Sequence, residues 1–272
     1  MNFKRILAIS FWTVLLSGLL VLVGFANFQY RKTLCKNIEI SIDYAQSDTL
    51  ITRSDIYKII KNADSLLVGR LLSTINIDKI ENALNNNAYI AKADVYSTID
   101  GIIKIKIFQR QPIIRVVNQD DINFYIDGQG YLMPTRPLKT ARVVVVNGWI
   151  KESYPQLKKL IINPQNKEDS LKSSSGLYKA FWLAKYLNTH TPLLSLVDQI
   201  YIDNSDEMEL IPKVGNHLII FGDTSQMSQK FENLILFYRK GLTKVGWDKY
   251  NIINLKFKNQ VVCSKKVSNG NI

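Results

Sequence analysis

Catalysis needs groups that titrate, ligate metal or attack, and this sequence brings few of them together. The two histidines, His190 and His217, stand apart and lack the spacing of a metal-binding pair. The two cysteines, Cys35 and Cys263, form no C-x-x-C and no cluster with histidine, so thiolate metal binding is not expected. They read as two free thiols, although one disulfide is open to them in an oxidising compartment. Asp203, Asp206 and Glu207 crowd one stretch. Acids in a polar turn are ordinarily solvated, whereas a catalytic pair needs surroundings that drive two pKa values apart. Ser173-Ser174-Ser175 reads as a loop and helix cap rather than a nucleophile. Asp127-Gly128-Gln129-Gly130 is rich in glycine but lacks the ligand series of a calcium loop. A G-x-S-x-G elbow, a Walker loop and a dinucleotide fingerprint are all missing. The expectation is a binding protein and not an enzyme, with no cofactor, metal or small-molecule substrate.

Composition narrows the kind of binding. The 272 residues are 46% hydrophobic, enough to fold. Lys and Arg number 35 against 23 acidic residues, a net charge of +12. The basic residues are spread thinly, with no run longer than two and no Arg-rich segment interleaved with aromatics. That pattern fits a basic surface beside a membrane and argues against nucleic acid. Residues 6–26, ILAISFWTVLLSGLLVLVGFA, carry no charge. At about 1.5 Å per residue they would span about 31 Å, a bilayer's hydrocarbon core. Gly24-Phe25-Ala26 also fits a signal cleavage site, but the run exceeds the roughly 7–15 apolar residues of a signal core. A retained transmembrane helix is expected. Lys4 and Arg5 on one flank nearly balance Arg31, Lys32 and Lys36 on the other, so charge leaves the orientation open.

After the hydrophobic run, two sets of elements follow. Residues 36–42 alternate, with Ile38, Ile40 and Ile42 on one face of a strand. Thr52-Arg53-Ser54-Asp55 has the form of a capping box, and Ile56, Ile59 and Ile60 follow at helical spacing. Asn76-Ile77-Asp78 opens a second helix with Ile80 and Leu84 inward, ended by Asn85-Asn86-Asn87. A hairpin comes next, with Ala91, Ala93 and Val95 on one face, a turn at Asp100-Gly101, and Ile103, Ile105 and Ile107 alternating with lysines. Arg110-Gln111-Pro112 breaks that ladder. Beyond it lie strands at 113–117, 124–126, 131–133, 143–146, 197–202, 208–211 and 217–221. Helices are expected at 177–187 and 226–240, the latter burying Phe231, Leu234 and Tyr238. A closing strand over 250–262 puts Ile253, Leu255 and Phe257 on one face and Asn254, Lys256 and Lys258 on the other.

This order of features resembles the FtsQ/DivIB cell-division family. Ala91-Lys92-Ala93-Asp94-Val95 is similar to the family's small-x-Val element. Gln109-Arg110-Gln111-Pro112 matches its acid-Arg-x-Pro, with Gln109 in the acid's place. Ile113-Ile114-Arg115-Val116 and Tyr125-Ile126-Asp127-Gly128-Gln129-Gly130 fall where it has an apolar strand and an aspartate–glycine hairpin, and Asn254-Leu255-Lys256 occupies the place of its Asp-Leu-Arg-like element. The resemblance implies an α+β chain: a cytoplasmic tail at 1–5, a transmembrane helix at 6–26, and a POTRA-like β-α-α-β-β domain at 36–112. A mixed β-sheet domain with helices on one face follows at 113–263, then a tail at 264–272. It also implies a non-enzymatic division scaffold in the inner membrane, with its domains in the periplasm at the septum. Such a scaffold recruits small coiled-coil partners of the FtsB and FtsL type and helps regulate septal peptidoglycan synthesis. The partner-binding residues implied are Ile253, Asn254, Leu255, Lys256, Phe257, Lys258, Asn259, Gln260 and Val261, on a sheet edge that accepts an incoming strand. The alternative is an envelope protein whose POTRA-like domain acts as a chaperone or docking module for other exported chains.

Overall fold

In the computed structural model, residues 3–45, 48–136, 140–152 and 175–265 are described. Ser173, Ser174 and residues 266–272 of the expected tail lie outside them. The chain forms two units, Met1–Ala45 with Ile51–Gln109, and Gln46–Leu50 with Arg110–Ile272.

The first unit begins with helix α1 (Phe3–Lys32). Its side chains are described over residues 10–22, at 24 and at 32, and Phe11, Trp12, Leu16, Leu20 and Leu22 among them are exposed. A transmembrane helix is expected over 6–26, and among the described residues no helix is long and apolar enough to cross a membrane. Strand β1 (Asn37–Asp43), helices α2 (Arg53–Ala63) and α3 (Ile77–Asn85), and strands β2 (Ile90–Ser97) and β3 (Ile102–Gln109) follow. The sheet order is β1-β3-β2, with β1 parallel and β2 antiparallel to β3. Thr52 caps α2 reciprocally with Asp55: its hydroxyl accepts from the Asp55 N–H, and its own N–H donates to the carboxylate at 2.9 Å. Asn76 caps α3 by accepting from the Lys79 N–H at 2.8 Å. Ile56, Ile60, Ile80 and Leu84 are buried, as are Ile103, Ile105 and Ile107 of β3.

One expectation in this unit fails. Ala91 is exposed, and Ile90 is buried in its stead. The register shifts between Ile90 and Lys92, so Ala91 is the extra residue of a bulge and loses its place in the alternation.

The second unit is a nine-stranded mixed sheet in the order β12-β11-β10-β9-β8-β7-β4-β5-β6. Its strands are β4 (Pro112–Val117), β5 (Asn123–Asp127), β6 (Leu132–Pro134), β7 (Val144–Gly148), β8 (Val197–Ile202), β9 (Met208–Pro212), β10 (Leu218–Gly222), β11 (Tyr250–Asn254) and β12 (Val262–Lys265). Helices α4 (Gly176–Thr189), α5 (Thr191–Leu194) and α6 (Met227–Phe237), with a π-helical turn at Tyr238–Leu242, supply the other half of a single core. Phe181, Leu183, Leu187, Phe231 and Leu234 from the helices meet Val146, Ile200, Leu210, Phe221 and Ile253 from the strands. At about 1.5–3 kcal/mol for each large side chain removed from water, that core is the main source of this unit's stability. Gly176 opens α4 where a Cβ would collide with Ile202, so only glycine allows the helix this close to β8.

The closing strand expected over 250–262 is two strands. β11 ends at Asn254, and β12 returns antiparallel to it, pairing Ile253 with Cys263 and Asn254 with Val262. Between them Gln260 N–H bonds to the Phe257 carbonyl, and Asn259 takes the left-handed backbone (φ 58°) that asparagine tolerates in turns. Ile253 and Leu255 are buried as expected, but Phe257 is 52% exposed because it sits in this turn and not on a ladder.

Candidate partner-binding edge

β11 is an interior strand. It runs parallel to β10, with Ile219 beside Ile253 and Ile220 beside Asn254, and β12 covers its other side. Leu255 prolongs the β10 ladder by donating its N–H to the Ile220 carbonyl at 2.9 Å. Asn254 accepts from the Lys256 N–H at 2.9 Å, which bends the chain out of the sheet. Lys256 Nζ pairs with Glu207 at 2.5 Å on the partly exposed surface. Lys258, Asn259 and Gln260 are exposed turn residues, and Val261 packs half-buried against the core. The nine residues from Ile253 to Val261 thus divide into a buried ladder, an ion-paired bend and a turn.

The sheet itself ends at β12, a strand absent from the expected site. Val262, Ser264 and Lys265 are exposed and Cys263 is half-buried. Its thiol is free, and burial raises its pKa. Along a strand the backbone groups point alternately to the two neighbours, so half of those of β12 face away from β11. No strand among the described residues lies on that side. A sequence signal for β12 did exist: Lys258-Asn259 supplies turn chemistry, and the apolar Val261-Val262-Cys263 follows it.

The residues that could have served catalysis have structural tasks. Asp203 accepts from the N–H groups of Ser205 and Glu207 at 2.8 and 2.9 Å and shapes the β8–β9 hairpin. Asp206 accepts from Gly176 N–H at 2.9 Å at the start of α4. Glu207 holds Lys256. His217 is buried and shares a hydrogen bond of 2.7 Å with the Tyr238 hydroxyl, whose pKa burial raises. His190 is exposed at the end of α4. Among the described residues no three His, Cys, Asp or Glu side chains are placed to hold a metal ion.

Two elements singled out by the sequence prove to be partners. Arg110 Nη1 meets Asp127 Oδ2 at 2.7 Å, with both side chains buried. The guanidinium lies 4.1 Å from the centre of the Tyr131 ring. The other Asp127 oxygen accepts from the N–H groups of Gln129 and Tyr131 at 2.9 and 2.8 Å. The arginine of Arg-x-Pro thus locks the aspartate–glycine hairpin β5–β6. Gln109, standing for the acid, is buried and still accepts a hydrogen bond, from Ile51 N–H at 3.1 Å.

A β-α-α-β-β unit followed by a mixed-sheet unit is the α+β order that the FtsQ/DivIB resemblance implies. The family comparison agrees: a model described as FtsQ/DivIB, C-terminal related, matches residues 111–264, and a POTRA-like domain model matches residues 33–108. The first covers more than half of the sequence, and the chain belongs to the FtsQ/DivIB C-terminal-related family. Both families are non-catalytic, and together they indicate a division-associated scaffold. No curated protein matches the chain.

Proposed function

We propose that this chain is a scaffold of the cell-division machinery, held in the cytoplasmic membrane by α1. Residues 1–5 lie inside and both domains lie in the periplasm at the septum. It recruits small coiled-coil partners of the FtsB and FtsL type and through them helps regulate septal peptidoglycan synthesis. The anchor is supported by the 30 residues of α1, which at about 1.5 Å each reach about 45 Å. It is supported too by the exposure of the consecutive apolar residues Val14, Leu15 and Leu16 and again of Leu19, Leu20, Val21 and Leu22. A helix apolar all round seeks lipid, whereas a helix on a soluble core shows a stripe.

The observation that carries the scaffold reading is the β12 edge at the end of the nine-stranded sheet. Among the described residues no strand pairs with the outward N–H and C=O groups of β12, which an incoming strand could take, and Lys265 on the same strand with Lys258 in the preceding turn favours an acidic partner. The segment 253–261 supports the edge from behind, and β12 makes the contact. Proline tests this at adjacent positions. In Cys263→Pro and Ser264→Pro, one substitution removes an outward N–H and the other an N–H directed at β11. The outward one is expected to leave the fold intact and abolish co-purification with the coiled-coil partners. Undiminished capture by both folded variants would refute the edge. For the scaffold itself, an N-terminal fluorescent fusion at native level is expected at midcell before constriction, and an even rim would overturn that role.

A further inference from the structure

The segment that leaves α1 is bound into the first unit without a linker. Leu72 N–H donates to the Thr33 carbonyl at 2.9 Å, Cys35 N–H to the Arg70 carbonyl at 2.7 Å, and Gly69 N–H to the Cys35 carbonyl at 2.7 Å. Leu34 and Leu71 form an isolated antiparallel bridge. On its other side the segment meets the β2–β3 turn, where Lys36 N–H donates to the Gly101 carbonyl at 2.7 Å. Gly101 has φ 95°, and a Cβ there would lie 2.5 Å from the Leu34 carbonyl oxygen. Two loops, residues 64–72 and 98–101, are therefore fixed around the first residues after the helix.

Those loops carry the wrong side chains for water. Ile99, at the tip of the turn, is 87% exposed, and Leu66 is 72% exposed. Val68, Leu34 and Leu71 are exposed beside them. Solvated turns ordinarily carry polar residues, and clustered exposed apolar side chains mark a contact surface. Lys32 and Lys36 are exposed on the same segment, and Arg70 lies beside it, paired with Asp64 at 2.5 Å. Cations flanking an apolar cluster suit anionic headgroups over acyl chains. Asp100, next to Ile99, is exposed, and a carboxylate there would hold the turn tip at headgroup level.

We propose that this end of the POTRA-like domain docks on the bilayer, with Leu34, Leu66, Val68, Leu71 and Ile99 seated at the level of the headgroup–acyl boundary. The occupant is a lipid surface because these loops are tied to the residue-by-residue continuation of α1, and the inference rests on the reading of α1 as an anchor. A partner protein over the same patch is the competing outcome.

The test uses the full chain in phosphatidylcholine–phosphatidylglycerol vesicles, with nitroxide labels at Leu66→Cys, Ile99→Cys and, as reference, Asn86→Cys. Asn86 precedes the far end of β2, about 25 Å from the turn at about 3.3 Å per residue. Cys263→Ser removes the second native thiol, and Cys35 is 1% exposed. Labels at 66 and 99 are expected to relax faster with oxygen than with an aqueous nickel chelate, and the label at 86 to show the reverse order. If 66 and 99 read like 86 while the chain resists alkaline extraction, the docking is wrong and the anchor stands. If alkali extracts the chain, the anchor fails and the docking with it.

Discussion

The two sheets end differently. β2 is an edge of the small sheet, and α3 closes it: Asn85 accepts from the Ala93 N–H at 2.8 Å and donates to its carbonyl at 3.3 Å, and Glu81 accepts from the Val95 N–H at 2.9 Å. β12 is an edge of the large sheet, and among the described residues no strand lies on its outer side. Side chains that mimic a neighbouring strand make an edge inert to other chains. The difference separates an edge that its own domain closes from one that the described residues leave open, which is where the proposed partner would add its strand.

The largest effect is expected at the opposite end of the large sheet, which the buried pair closes. Arg110→Ala strands the Asp127 carboxylate without its guanidinium and is expected to cost about 3–5 kcal/mol in urea unfolding. Partner capture per folded molecule should be unchanged, since β12 lies at the other end. Asn85→Ala opens the β2 edge at a cost of about 1–2 kcal/mol for two hydrogen bonds. Combined with Glu81→Ala it should produce self-association that rises with concentration in sedimentation, and a strictly monomeric double variant would break the contrast between the edges. Lys256→Ala removes a surface ion pair and should cost about 1 kcal/mol or less, with the difference fading in high salt. The smallest effect concerns Asp223, whose pKa falls from the ordinary 3.8 to about 2, first through the Ser225 hydroxyl and then through Lys230. A folded value below the unfolded one stabilises above about pH 4, and that contribution is lost as the pH falls through about 2. Its side chain is 56% exposed, so the gap between wild type and Asp223→Asn should stay below about 1 kcal/mol at pH 7 and close on acidification.

Local patterning carried much of the fold into view. Thr52 and Asp55 announced α2, and the lysine-spaced Ile103, Ile105 and Ile107 announced β3, because capping and alternation depend on near neighbours. Ala91 was misplaced because a bulge breaks the period of two, and nothing in the residue type marks it. The nine-stranded order escaped for a related reason: β4 beside β7 and β10 beside β11 are parallel pairings across long connections, and periodicity says nothing about which strand is the neighbour. The Arg110–Asp127 lock was hidden likewise, with each half recognised and the pairing not. In the closing segment, alternation runs on through Phe257 and masks the turn at Asn259, so one long strand is expected where the chain makes two.

The strand order also bears on biosynthesis. From β7 to β12 the strands lie side by side in the order in which they are made. As the chain emerges, each strand finds its template already in place, and every intermediate exposes the strand most recently added. The last such intermediate would present β11, with Ile253 on a bare edge prone to aggregate. Only the arrival of β12 covers that edge, so on the proposed function competence to bind would be reached in the same step that completes the sheet.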